Sequence, residues 1–136
     1  MQRSEPQISD YMMKAPRSVH PGSSLKKALN TMTQSGSHYL PVLSGKRVVG
    51  LLKDHSPRFA ASLLGSEATT VGDLMSPAPA VAGPGTSLYE VLDNTPDNVY
   101  GCTIVQDSNG KIVGLFTPRE ALAAIHDLAT KNSGKK

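Results

Sequence analysis

The sequence predicts an α+β fold of two pseudo-symmetric β-α-β-β-α repeats packed sheet to sheet. Three observations predict it. Aligning Ile8–Leu29 with Val71–Leu92 sets Asp10 on Asp73, Met12 on Met75, Pro16 on Pro79 and Leu29 on Leu92, each pair 63 positions apart (10 to 73, 29 to 92), and such register marks an internal duplication. The apolar pattern changes in the same order in both copies, from helical spacing to short β-branched runs and back. Finally, the chain has 136 residues, so neither copy alone could bury two helices and both faces of a small sheet.

Each copy opens on a short helical turn, "ISDYMM" from Ile8 and "VGDLM" from Val71, and continues into a brief extended piece, "RSV" from Arg17 and "PAVA" from Pro79. A helix follows "PGSSL" and "PGTSL". In the first copy Leu25, Ala28, Leu29 and Met32 recur at i, i+3, i+4 and i+7, one apolar face, with Gly36 placed to cap the C-terminus. In the second copy Leu88, Val91 and Leu92 keep the face and Pro96 ends the helix early. A hairpin comes next, "YLPVL" with "RVVGLL" and "CTIVQ" with "KIVGLF", joined by turns rich in Gly and Asn. A second helix closes each copy, "SPRFAASLL" up to Gly65 and "TPREALAAIHDLAT", where Ala121, Leu122, Ile125 and Leu128 form the expected buried stripe. The expected organisation is a linker at 1–7, repeat 1 at 8–65, a linker at 66–70, repeat 2 at 71–129 and a disordered basic tail at 130–136.

Composition narrows the function classes. No apolar run approaches the ~20 residues of a membrane span, and "MQRSEPQISD" lacks an apolar signal core. Cys102 has no second cysteine to pair with. A cytoplasmic location with no membrane insertion is expected. The formal net charge is +3, unevenly spread: up to Thr70 there are nine Lys/Arg and four Asp/Glu, 9 − 4 = +5, and beyond it five and seven, 5 − 7 = −2. Such a split fits either solvated surface or a half that attracts an anion or a partner's opposite half.

His20, His38, His55 and His126 show no metal-ligand spacing, and no phosphate loop of the G-x-x-x-x-G-K-[ST] type is present. No catalytic residue, metal or cofactor is assigned. With no Trp, a stacking platform for single-stranded nucleic acid is not expected.

The paired openings "YMM…P…V.P..SL..AL" and "LM…P…P..SL..VL", with "LPV…G..VGLL" and "TIV…G.IVGLF.P.E", resemble a tandem pair of cystathionine β-synthase (CBS) domains, a Bateman module, over about Ile8 to Ala129. The resemblance implies a non-catalytic regulatory sensor. It would bind an adenosine-containing nucleotide (AMP, ADP, ATP or S-adenosylmethionine) as a regulatory ligand in the inter-repeat cleft, form a homodimer, and control an enzyme or transporter. The implied ligand-binding residues are Ala78, Ala80, Cys102, Ile104, Thr117, Arg119 and Glu120, with Lys53 from the first copy. In the family pattern Gly-apolar-apolar-Thr-x-x-Asp the Thr and the acid hold a ribose. Here Gly114-Leu115-Phe116-Thr117-Pro118-Arg119-Glu120 keeps the Thr and puts Glu for Asp.

The same four residues also read as a helix capping box with proline at the first helical position. The first copy has Ser56-Pro57-Arg58-Phe59 there, after an inserted "KDH". Without the gap Lys53 and Ser56 take the two positions. Neither alignment supplies a carboxylate, so the repeat 2 site is expected to be the main one, with the insertion filling the first pocket or sending Lys53 toward phosphates. The closing helices carry apolar residues that a thin core would leave uncovered: Phe59, Leu63 and Leu64, and Ala121, Leu122, Ile125 and Leu128. Alternative functions are a dimerisation or scaffolding module without ligand and, last, a nucleic-acid-binding module using the basic half.

Overall fold

The computed structural model describes residues 5–14, 16–55, 57–64, 69–77, 80–94 and 101–133. They form two compact units. One runs from Pro16 to Pro79, and the other joins the residues up to Lys14 with those from Ala80 onward.

In the Pro16–Pro79 unit, α1 (Leu25–Ser35) starts where Ser24 Oγ accepts the Lys27 N–H at 3.1 Å and ends at Gly36, whose φ of 67° only glycine adopts cheaply. Leu25, Ala28 and Met32 are buried, but Leu29 is 37% exposed. The expected four-residue face is therefore narrower, because α1 packs on a two-stranded hairpin. That hairpin is β2 (Tyr39–Ser44) with β3 (Arg47–Lys53), antiparallel, turning at Gly45 (φ 64°) and Lys46, with a bulge at Val42/Leu43. The expected strand at "RSV" shrinks to one parallel bridge, Val19 with Val42. α2 (Pro57–Leu64) sends Phe59 into the core with Val19, Ala28, Leu40 and Val71, so Phe59 is not part of an uncovered face. Leu63 and Leu64 are exposed, as anticipated. α3 (Val71–Leu74) is held by a Thr70–Asp73 capping box.

The other unit has a 3-10 turn at Ile8–Asp10, then β1 (Met13–Lys14), β4 (Ala80–Ala82), α4 (Leu88–Asn94), β5 (Thr103–Gln106), β6 (Ile112–Phe116) and α5 (Pro118–Ser133). Its sheet order is β1-β6-β5-β4, with β4 and β5 parallel and the other pairs antiparallel. α4 buries Leu88 and Val91 and half-buries Leu92. It ends at Asn94, and Pro96 lies outside the described residues. Ile8, Leu88, Val91, Val105, Phe116, Ala121 and Ala124 form the core. Fully burying one leucine such as Leu88 is worth roughly 1.5–3 kcal/mol.

The stripe expected on α5 is corrected. Leu122 and Ile125 are 60% and 51% exposed, and the helix instead packs through Ala121, Ala124 and Leu128. Small residues there let the helix lie close to the sheet. α5 also continues through residues 130–133 of the segment expected to be a disordered tail, and 134–136 lie outside the described residues.

The sequence repeats and the spatial units do not coincide. Each repeat's opening segment pairs with the hairpin of the other repeat: Met13 with Leu115, and at the equivalent place Ser76 with Leu51. The expected extended pieces miss these pairings, which lie earlier in each copy. Two glycines permit the approach. A Cβ on Gly114 would stand 2.3 Å from Met12 Sδ and 3.0 Å from the Met13 carbonyl oxygen. One on Gly50 would stand 2.6 Å from the Ser76 carbonyl oxygen and 2.7 Å from Met75 Sδ.

Candidate functional site

In the unit built on α5, strand register gathers most of the sequence-nominated residues at one sheet end. Ala80 begins β4 opposite Thr103, and Thr103 lies opposite Phe116. Cys102 therefore immediately precedes β5, and Thr117 immediately follows β6. Pro118 then starts α5, whose fixed φ suits a first helical residue, and the helix carries Arg119 and Glu120.

Thr117 is buried and closes the helix on itself. Its carbonyl accepts the Ala121 N–H at 2.9 Å. Its own N–H and its hydroxyl both donate to Glu120 Oε1, at 2.9 and 2.5 Å. Glu120 Oε2 has no hydrogen-bond partner among the described residues. Arg119 is exposed beside it. Burial, aided by the Glu120 negative charge, pushes the Cys102 thiol up to about 12. The protonated, buried thiol is inert at neutral pH.

Cys102 and Ile104 are fully buried and Ala80 is exposed. Cys102 and Ile104 thus belong to the floor of this end, while Ala80, Arg119 and Glu120 are the groups a solute meets first. Ala78 lies outside the described residues. Lys53 sits at the end of β3 in the Pro16–Pro79 unit, paired with Tyr39 and half-buried.

The equivalent end of the Pro16–Pro79 unit is built differently. Tyr39 pairs with Lys53 at the end of the β2–β3 ladder, and of the extra residues Asp54 and His55 form a turn. Ser56 lies outside the described residues. Neither aligned acid position holds a carboxylate, but the inserted residues bring one to this end in Asp54. Its Oδ2 lies 2.9 Å from His38 Nδ1 and its Oδ1 3.3 Å from His55 Nδ1. The His55 ring stands edge-on to Tyr39 at 5.5 Å. Both Asp54 oxygens are engaged, whereas Glu120 keeps one open. Phe59, the counterpart of Glu120, is core.

Sequence reasoning missed a second feature of the α5 unit. A groove of about 510 Å³ is lined by Glu5, Asp10, Tyr11, Asp127 and Lys131, among others. The Tyr11 hydroxyl donates to Asp127 Oδ2, and Lys131 Nζ lies 3.2 Å from the same oxygen. The Tyr11 hydrogen bond, then that of Lys131, holds the Asp127 carboxyl below the usual carboxylate range. The i,i+4 spacing of Asp127 and Lys131 was the available signal, but Tyr11 is remote in sequence.

The CBS-domain family model matches residues 8–56 and again 71–127. The chain belongs to the CBS-domain family. Its fold is that of solved CBS pairs. The CBS-pair protein CBSX2 of Arabidopsis thaliana is 22% identical with a TM-score of 0.75, over 93% of this chain and 99% of that one. A structure of CBSX2 in complex with AMP is 23% identical with a TM-score of 0.71, over 90% and 98%. The CBS domain of the bacterial CNNM/CorC family Mg2+ transporter is 18% identical with a TM-score of 0.69, over 85% and 72%. No curated protein matches the chain. Among the described residues no helix is long and apolar enough to cross a membrane.

Proposed function

We propose that this CBS pair is a non-catalytic, cytoplasmic regulatory module that binds an adenosine-containing nucleotide at its Thr117–Glu120 end and controls a separate enzyme or transporter. One observation carries the reading: Glu120 spends one carboxylate oxygen on the helix cap and keeps the other without a partner among the described residues. Capping and ligand binding, which the sequence poses as rivals, are thereby divided between two oxygens. A carboxylate oxygen accepts hydrogen bonds from the vicinal ribose hydroxyls, and the exposed Arg119 beside it suits a phosphate. The AMP complex of CBSX2, a protein of the same fold, and the CBS domain of a Mg2+ transporter support the ligand class and the kind of target. The occupied carboxylate at Asp54 supports one main site rather than two.

A thermal-shift panel of AMP, ADP, ATP, S-adenosylmethionine and cyclic dinucleotides tests the reading. A ligand that binds only the folded state at 100 times its Kd adds about 2.7 kcal/mol of apparent stability. At least one adenosine compound raises Tm, and its 2′-deoxy analogue raises it less. A flat panel overturns the assignment.

Exposed Leu63 and Leu64 on α2, and Leu122 and Ile125 on α5, favour a second reading in which these helices form a homodimer interface, with or without ligand. Large apolar side chains left exposed on a helix mark contact sites. Light scattering at tens of micromolar shows a dimer, and Leu122→Glu with Ile125→Glu returns it to monomer. A wild-type monomer contradicts the reading.

A further inference from the structure

We infer that one end of the Pro16–Pro79 unit is a docking surface for an acidic segment of a partner protein, independent of the nucleotide site. From Tyr11 to Lys53 the chain contains no Asp or Glu, yet it carries Lys14, Arg17, Lys26, Lys27, Lys46, Arg47 and Lys53. The fold sorts these bases. α1 and β2 are joined through residues 36–38 and pack together, so they run antiparallel. The first turn of α1 and the β2–β3 turn therefore share one end of the unit. Hydrogen bonds fasten this end: the Leu43 N–H donates to the Val19 carbonyl at 2.8 Å, and the His20 N–H donates to Ser23 Oγ at 3.1 Å, just before the Ser24 cap. Exposed His20, Lys26, Lys27, Lys46 and Arg47 collect there. None has an acidic partner among the described residues.

The duplicated unit supplies an internal control. Its equivalent end carries Tyr89 and Glu90 in the first turn of α4, and Asp107 and Lys111 at the β5–β6 turn, with Asp107 Oδ1 accepting the N–H groups of Asn109 and Lys111. The same fold is thus built without a basic cluster. Glu90 complements the positive end of its helix dipole, whereas Lys26 and Lys27 oppose theirs. Charges that the fold does not need, placed against the local field, point to a partner of opposite sign.

The cluster favours an acidic protein segment over nucleic acid. Tyr39 and Phe59 of this unit are buried, so they offer no stacking platform for single-stranded bases. The charges lie at the unit's tip rather than along a stripe that could follow a duplex backbone.

The test is fluorescence anisotropy on the full chain at about 50 mM salt, where surface charge is weakly screened. The probes are a labelled Asp/Glu-rich peptide of about 12 residues, a Lys/Arg-rich peptide of the same length, and a DNA duplex. The acidic peptide binds and the basic one does not. Lys26→Glu with Lys27→Glu, and separately Lys46→Glu with Arg47→Glu, each weaken binding about tenfold or more. Lys111→Glu leaves it unchanged. The Lys26/Lys27 reversal favours the α1 dipole, so lost binding does not reflect unfolding, and an unchanged circular dichroism melt confirms this. No binding of the acidic peptide, wild-type affinity in both reversal variants, or tighter binding of the duplex overturns the inference.

Discussion

Glu120 takes both hydrogens of Thr117, the backbone N–H at 2.9 Å and the hydroxyl at 2.5 Å, on the single oxygen Oε1. The pair fixes where α5 begins, and with it where the sheet end containing Cys102 meets the helix. Thr117→Ala removes the hydroxyl and costs about 1 kcal/mol in urea unfolding, while Thr117→Ser costs far less. Equal stability of the alanine variant and wild type would show that the hydroxyl contributes nothing to the cap.

The crossing of each opening segment onto the other repeat's hairpin depends on two glycines, and the two respond differently to a methyl group. At Gly50 the nearest atom is a backbone oxygen, that of Ser76. At Gly114 it is the flexible Met12 thioether. Gly50→Ala therefore destabilises the protein by about 1–3 kcal/mol, and Gly114→Ala by less. Met12→Ala recovers part of the Gly114→Ala loss, whereas Met75→Ala leaves most of the Gly50→Ala loss in place. A double-mutant cycle in denaturant measures both couplings; equal rescue at the two sites counts against the backbone-clash account.

Cys102 gives the protein an alkaline weakness. Its folded thiol is pushed up to about 12 from an ordinary 9.0, mainly by burial. The unfolded chain therefore releases the thiol proton first as pH rises. The stabilising contribution is complete below about pH 9 and is lost progressively toward 12, by up to about 1.4 kcal/mol per pH unit. Urea unfolding between pH 8 and 10.5 shows a falling stability that flattens in Cys102→Ala. Native protein at pH 8 also reacts with a thiol alkylating agent far more slowly than urea-unfolded protein. Rapid native labelling would contradict the burial.

Much of this architecture was legible in the sequence because duplication writes each element twice. Both hairpins, the Thr117–Glu120 capping box and the Gly36 cap follow from residue type and spacing. The crossing was not legible. Met13 and Ser76 make pairings of one or two residues, too short for any periodicity, with strands on the far side of the chain. The face of α5 was ambiguous because Ala121-Ala124-Leu128 and Leu122-Ile125 both keep helical spacing, and only the sheet beneath decides between them. At the candidate site, the placing of Thr117, Glu120 and Cys102 at one sheet end follows from the register of the second hairpin. Asp54 was hidden by the inserted residues, which leave the alignment free to slide, and the Tyr11–Asp127 contact joins positions 116 apart.

In the proposed function Glu120 serves the cap with one oxygen and a ribose with the other. The most direct measurement is isothermal titration of wild type, Glu120→Gln and Glu120→Ala with whichever adenosine compound gives the largest thermal shift. Gln keeps a carbonyl oxygen for the capping box but loses the charge. Wild type takes up one ligand per chain. Glu120→Gln keeps near-wild-type stability, with affinity reduced by about 1–3 kcal/mol, roughly five- to 150-fold. Glu120→Ala loses both affinity and about 1 kcal/mol of stability. Two equivalent sites per chain, or full affinity in both variants, would contradict the proposed function.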